Sequence, residues 1–270
     1  MRIVKVFNNN AVLVTDGTEE KVAIGKGIGF NKKKEDMIDP KKIEKLFVKK
    51  ENEKLQQLLY RIPSDHFIVS EEIISYAEQQ FGATLNEHIY IQLTDHISFA
   101  IERTENGIFI KNKLLDEIKI LYSEEFAIGL WAIDFIKKKL NIELPEDEAA
   151  FMALYLHTMK PHGKDLKETI RQTSIIREMI QFIKNQVEIR INDNDLAYQR
   201  LVLHLRYALS RANEYEIRTL DEEMIQMIQR KYTLSYRVAQ KMASELNKLY
   251  GIDWPEQELA YIALHIERLR

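Results

Sequence analysis

The later two-thirds of this 270-residue chain is written twice, and that duplication limits its fold more than any other feature. Leu121-Tyr122 through Pro145-Glu146-Asp147-Glu148 and Ala153-Leu154 recurs as Lys231-Tyr232 through Pro255-Glu256-Gln257-Glu258 and Ala263-Leu264. The Tyr-to-Pro interval is 23 residues in both copies. Upstream, the segment 93–103 (LTDHISFAIER) answers to 201–211 (LVLHLRYALSR). A unit of this length is a duplicated domain, because solenoid repeats recur every few tens of residues. Apolar residues at helical spacing, as in Ile73-Ile74, Ile89-Ile91-Leu93 and Ile97-Ala100-Ile101, make the repeated unit helical. Ser70-Glu71-Glu72-Ile73 and Pro145-Glu146-Asp147-Glu148 have the form of helix starts, and Pro161-His162-Gly163 separates the copies.

Ahead of the repeat the pattern is that of strands. Ile3-Val4-Lys5-Val6-Phe7 leads through Asn8-Asn9-Asn10 into Ala11-Val12-Leu13-Val14, two strands about a turn-prone triplet. Asp16-Gly17 marks a second turn before Lys21–Ile24, and residues 42–48 alternate as a last strand. Four short strands bury little alone, so packing against a second copy of the chain is expected. Residues 54–62 read as a helical connector ending at Pro63. The expected fold class is multidomain: a small all-β N-terminal domain followed by two homologous all-α helical-bundle domains. The expected boundaries are 1–56 for the β domain, 57–64 for a linker, 65–168 for the first helical domain and 169–270 for the second. The last helix runs to Leu269-Arg270, which suggests that a short native tail follows.

Composition narrows the chemistry. No cysteine is present, which excludes disulfides, thiolate metal sites and cysteine nucleophiles and suits the cytoplasm. No apolar stretch follows a basic head and no long uncharged apolar run occurs, so neither a signal peptide nor membrane insertion is expected. The net charge of −3 divides unevenly: residues 1–50 carry +5 and the remainder −8. A basic head on an acidic body points the head at an anionic partner. Ordinary surface charge would account for the imbalance equally well.

Two sets of residues could carry function. His96 and His204 hold the same place in the two copies, and Arg103 and Arg211 follow each by seven residues, two helical turns on. His265 follows Ala263-Leu264, where the first copy has Tyr155, with His157 two residues further. Two residues turn a helical side chain through roughly 200°, so His157 cannot simply replace the missing imidazole. A single histidine is more often a hydrogen-bonded or surface residue than a site, and His66, His88 and His162 are read that way. Repetition sets His96, His204 and His265 apart. Hydrolase, nucleotide-binding and zinc-protease fingerprints are missing, so no catalytic residue, metal or cofactor is expected. In the head the set is Lys5, Asn8, Asn9, Asn10, Gly25, Lys26, Gly27, Phe30 and Lys32, with Lys33 and Lys34 beside it. Asparagine amides read base edges, lysines hold phosphates and an exposed aromatic stacks on an unpaired base. Equally, three asparagines make a turn and a phenylalanine fills a core.

Together these residues resemble the BglG/SacY family of bacterial transcriptional antiterminators over essentially the whole chain. Lys5-Val6-Phe7-Asn8-Asn9-Asn10 and Ile24-Gly25-Lys26-Gly27-Ile28-Gly29-Phe30 are close to signatures of the family's RNA-binding domain. Residues 85–97 resemble its first phosphotransferase-system regulation domain, and residues 255–267 the second; residues 85–103 lean toward the glucose-responsive branch. The resemblance implies a homodimer that binds a leader RNA hairpin and prevents an overlapping terminator from forming. It implies phosphorylation on histidine by the sugar permease (enzyme II) and by HPr, at His96, His204 and His265. Tyr155 stands where the family places a further histidine, and His157 is the substitute to weigh. Arg103 and Arg211 are the candidates to pair with phosphate.

Three other readings stand beside it. A DNA-binding regulator with the same helical domains lacks any helix-turn-helix in the head. A histidine–metal enzyme predicts bound metal and turnover. A purely structural dimer leaves the repeated histidines without a role.

Overall fold

The computed structural model describes residues 1–48, 59, 61–85, 87–158, 165–187, 195–212 and 220–270. Residues 54–58 and 60 of the expected connector over 54–62 fall outside them, as do 57, 58 and 60 of the linker over 57–64 and His162. The head is an antiparallel sheet in chain order: β1 (Arg2–Asn8), β2 (Ala11–Thr15), β3 (Glu20–Ile24) and β4 (Lys45–Val48). The last strand is shorter than its alternation suggests. A 3-10 turn at Pro40–Lys42 intervenes, begun by the Asp39 side chain accepting from the Lys41 amide.

The strands are short and apolar on both faces because both faces are covered. On one face Ile3, Val12, Val14, Ala23, Ile28 and Ile38 form a small core. On the other, Ala11, Leu13, Val22 and Ile24 join a larger cluster with Leu59, Ile62, Phe67, Ile73, Tyr90 and Leu93. That second face lies against the first set of helices, and Lys45 ties it there through Glu78 at 3.2 Å.

Ten helices follow among the described residues. The first five are α1 (Ser64–Phe81), α2 (Glu87–Glu105), α3 (Leu115–Leu121), α4 (Ser123–Leu140) and α5 (Glu146–His157). The second five are α6 (Leu166–Gln186), α7 (Leu196–Arg211), α8 (Glu222–Lys231), α9 (Thr233–Tyr250) and α10 (Glu256–Glu267). α1 begins after Pro63, six residues before the start expected at Ser70. Ser70 is instead interior and buried, its hydroxyl donating to the His66 carbonyl one turn back at 2.9 Å. α5 and α10 both start after a proline with acids in the first turn, as their motifs indicate.

The chain divides into two compact units, Met1–Asn112 with Glu125–Gly163, and Lys113–Glu124 with Lys164–Arg270. The short helix α3 therefore belongs with the second set of helices. There the Arg206 guanidinium donates to the Leu121 carbonyl at its end (2.9 Å), and the Tyr122 and Thr173 hydroxyls share a hydrogen bond of 3.0 Å.

Candidate functional site

The asparagine triplet is a structural turn and a presented surface at once. The Asn8 side-chain oxygen accepts from the Asn10 amide and the Asn10 oxygen from the Gly27 amide, each at 2.8 Å. The Asn9 and Asn10 carbonyls accept from the Gly29 and Gly25 amides, so the β1–β2 turn and the loop after β3 form one body. Gly27 needs its positive φ of 66°, and a Cβ at Gly29 would strike the Asn8 carbonyl. The glycine-rich segment is accordingly a turn leaving the sheet rather than part of it. Asn9, Lys26 and Phe30 are exposed, Phe30 by 60%, so this phenylalanine is not a core residue.

Asn9, Asn10, Gly25, Lys26, Gly27 and Phe30 line one pocket of about 620 Å³. Its other wall comes from α1 and α4. Tyr76 stacks on Trp131 with ring centroids 3.8 Å apart, and Trp131 on Phe135 at 5.0 Å. Glu71 and Glu72 stand on that wall. Lys5, Asn8 and Lys32 lie outside the pocket; the Lys32 ammonium donates to the Met37 carbonyl at 3.2 Å.

The repeated histidines occupy the same setting twice. His96 on α2 places Nε2 3.3 Å from a carboxylate oxygen of Glu148 on α5, and the Arg103 guanidinium holds the other oxygen. Its ring packs obliquely on Phe151 and Tyr155, at 5.8 and 5.3 Å. His204 on α7 places Nε2 3.7 Å from Glu258 on α10, and Arg211 holds that carboxylate at 3.0 Å. Here the rings are Tyr261 at 5.8 Å and His265, stacked at 4.6 Å. Glu148 and Glu258 are 1% and 4% exposed at the side chain, so neither cation could be removed without stranding a buried charge.

Electrostatics differ between the copies where residue types differ. Burial would raise the Glu148 carboxyl, but His96 and Arg103 outweigh it and hold this acid below the ordinary carboxylate range. Burial, with His265 and Arg211 beside it, pushes the His204 imidazole down to about 4. His265 is lowered by burial and by Arg268 and Arg200. Tyr155, in His265's place, is raised by burial and by Asp95.

The remaining histidines sit elsewhere. His157 is bonded through Nδ1 to the buried Glu125 at 2.8 Å, while His96 faces Tyr155. The matching positions of the second copy hold a comparable tie, Ser235 donating to Glu267 at 2.6 Å. His66 shares a 3.1 Å hydrogen bond with Ser98, and His88 is exposed. Arg103 and Arg211, read as partners for phosphate, are both engaged by a carboxylate.

Sequence reasoning passed over Glu148 and Glu258, which it took for helix-start acids. A signal was present: Glu148, Phe151 and Tyr155, like Glu258, Tyr261 and His265, fall at i, i+3 and i+7, one face of a helix.

Comparison with known proteins places these features in company. A family model described as PRD domain matches residues 71–159 and again 177–269, and one described as CAT RNA binding domain matches residues 1–56. The chain is 39% identical to the transcription antiterminator LicT of Bacillus subtilis, over all of this chain and 99% of that protein. It is 37% identical to the beta-glucoside operon antiterminator of Dickeya chrysanthemi, over all of this chain and 97% of the relative. It is 34% identical to the GlcA/glcB genes antiterminator of Staphylococcus carnosus, over 98% of this chain and 94% of the relative. The crystal structure of GlcT CAT-PRDI superposes with a TM-score of 0.53 at 40% identity, covering 58% of this chain and 96% of that one. Relatives named for a beta-glucoside operon and for the GlcA/glcB genes both match, so these names do not single out one branch of the family.

Proposed function

The chain belongs to the BglG/SacY family of transcriptional antiterminators, and from that we propose that it is a sugar-responsive switch acting on a leader RNA. As a cytoplasmic homodimer it binds an RNA hairpin and keeps an overlapping terminator from forming. The β head, residues 1–56, grips the RNA through Asn9, Asn10, Gly25, Lys26, Gly27 and Phe30, with Lys5, Asn8 and Lys32 at the margin. Residues 57–64 link it to two regulation domains, 65–168 and 169–270. Enzyme II and HPr phosphorylate His96, His204 and His265. His157, held by Glu125, is the weaker acceptor.

The observation that carries this reading is the histidine–carboxylate–arginine cluster, built once in each helical repeat behind a head that matches an RNA-binding module. A phosphoryl group adds a charge of about −1.5 to −2. Added to a ring packed on a buried carboxylate–arginine pair, that charge competes for the same arginine, and the contest loosens α2 from α5 or α7 from α10. Phosphorylation of His96 thereby breaks the dimer that holds the RNA.

The test is titration of the full chain with a labelled leader hairpin from a sugar operon of the source bacterium, before and after HPr-dependent phosphorylation. Hairpin binding that Asn10→Ala and Phe30→Ala each weaken about tenfold or more, with duplex DNA ignored, is the expected result. Stoichiometric His96 phosphorylation lowers both dimer fraction and affinity. Equal binding of hairpin and duplex DNA would favour a DNA-binding regulator; equal dimerisation and affinity after phosphorylation would end the switch.

A further inference from the structure

His96 and His204 each turn one particular nitrogen inward. Their Nε2 atoms lie against buried carboxylates, at 3.3 Å from Glu148 and 3.7 Å from Glu258. Both Nε2 atoms are sealed from solvent, and neither has a hydrogen bond of ordinary geometry among the described residues. The side chains nevertheless keep 14% and 15% exposure, so the accessible part of each ring is not Nε2. A neutral imidazole carries one proton, and the nitrogen that bears it has no lone pair to offer. A nitrogen facing an ionised carboxylate retains that proton, since two facing lone pairs repel.

From this placement we propose that Nδ1 is the phosphoryl acceptor of His96 and His204, and that Glu148 and Glu258 are positioning residues that keep the proton on Nε2. The inference rests on the reading of these histidines as phosphorylation sites and names the nitrogen within them. The donor is a protein carrying an N-linked phosphohistidine, as HPr would. The Nδ1 lone pair attacks phosphorus; an N–P bond forms there as the donor's N–P bond breaks. The donor ring, which bears a proton on its other nitrogen, leaves as neutral imidazole. The acceptor ring keeps its Nε2 proton and becomes cationic, with the new positive charge directed at Glu148 or Glu258. This is the role a buried aspartate plays behind the histidine of a serine protease. Arg103 and Arg211 hold each carboxylate in line. Burial also keeps the His204 ring unprotonated at neutral pH, so its second nitrogen retains a lone pair.

The test uses the full 15N-labelled chain and phosphorylated HPr. Before reaction, imidazole nitrogen shifts report which nitrogen bears the proton; afterwards, proton–phosphorus and proton–nitrogen correlations report which one bears phosphorus. The expected result is Nε2–H in the free chain and Nδ1-phosphohistidine at both positions. In Glu148→Gln the amide can donate to Nε2, which moves the proton to Nδ1. That variant should lose Nδ1 phosphorylation at His96 by roughly tenfold or more, while His204 keeps its rate and isomer and an unchanged thermal midpoint of the first unit shows that it is folded. The free-chain proton position tests the idea even if the variant does not fold. Nε2-phosphohistidine in the unaltered chain, or Nδ1–H before reaction, overturns this proposal and leaves the antiterminator reading standing. No phosphohistidine at either position overturns both.

Discussion

His204 and its neighbours make a pH dependence that can be signed. Its imidazole is pushed down to about 4 in the folded chain, against about 6.5 when unperturbed. Below pH ~6.5 the unfolded chain takes up a proton that the folded chain refuses, so stability falls as pH drops toward about 4 and is unaffected above ~6.5. The loss attributable to this group is on the order of 3 kcal/mol, and His265, lowered and stacked on it, adds in the same direction as one coupled pair. Urea midpoints measured from pH 7.5 to 5 should therefore decline, with a shallower decline in His204→Gln; parallel declines would refute the assignment. Much of this site was legible beforehand, since His96, His204, His265, Arg103 and Arg211 stand out by repetition alone. What repetition did not disclose was that each arginine already has an anion. Glu148 and Glu258 look like any acids in a first helical turn until burial shows which one faces inward.

Helix endings show how much of each element the chain writes locally. α9 ends at Gly251 with φ 66°, and the matching residue after α4 is Asn141 with φ 59°, asparagine being the residue that best tolerates that conformation after glycine. Neither this duplicated cap nor the true start of α1 was singled out from the sequence. Ser70 and two acids mimic a helix start, and only packing of His66 and Phe67 into the core carries the helix back to Pro63. Between α4 and α5 the approach is close enough that a Cβ at Gly129 would meet the Ala149 carbonyl. Gly129→Ala should thus destabilise the first compact unit by about 1–3 kcal/mol, read as a lowered thermal midpoint. The second copy holds Ala239 at the equivalent place, fully buried, so the reciprocal Ala239→Gly should cost only about 1 kcal/mol through helix propensity. A gain in stability on Gly129→Ala, as helix propensity alone would give, would mean that the close approach contributes nothing.

Across the whole molecule, charge and packing meet at the pocket between the head and the first helices. Its rim carries Lys26 and the asparagine turn, while its far wall carries Glu71, Glu72 and the Tyr76–Trp131–Phe135 stack. An RNA phosphate held at the rim would meet those carboxylates at close range and in a partly apolar setting. Glu72 is exposed, and its ion pair with Lys139 spans 3.9 Å. Glu72→Lys is accordingly expected to leave folding intact and to raise hairpin affinity several-fold at low salt, with the gain shrinking as salt rises. Unchanged affinity at low salt would show that RNA does not approach this wall.

Sequence alone determined the order of a β head and two helical copies, because strand and helix periodicities and a duplication are local or self-referential patterns. It also singled out the repeated histidines and the asparagine–glycine turn. Which carboxylate each histidine faces, and what covers the head's second sheet face, were settled only in three dimensions. So was the grouping of α3 with the second compact unit. Those outcomes depend on contacts between residues far apart in the chain, where a buried charge must find its counter-charge and an apolar face its cover.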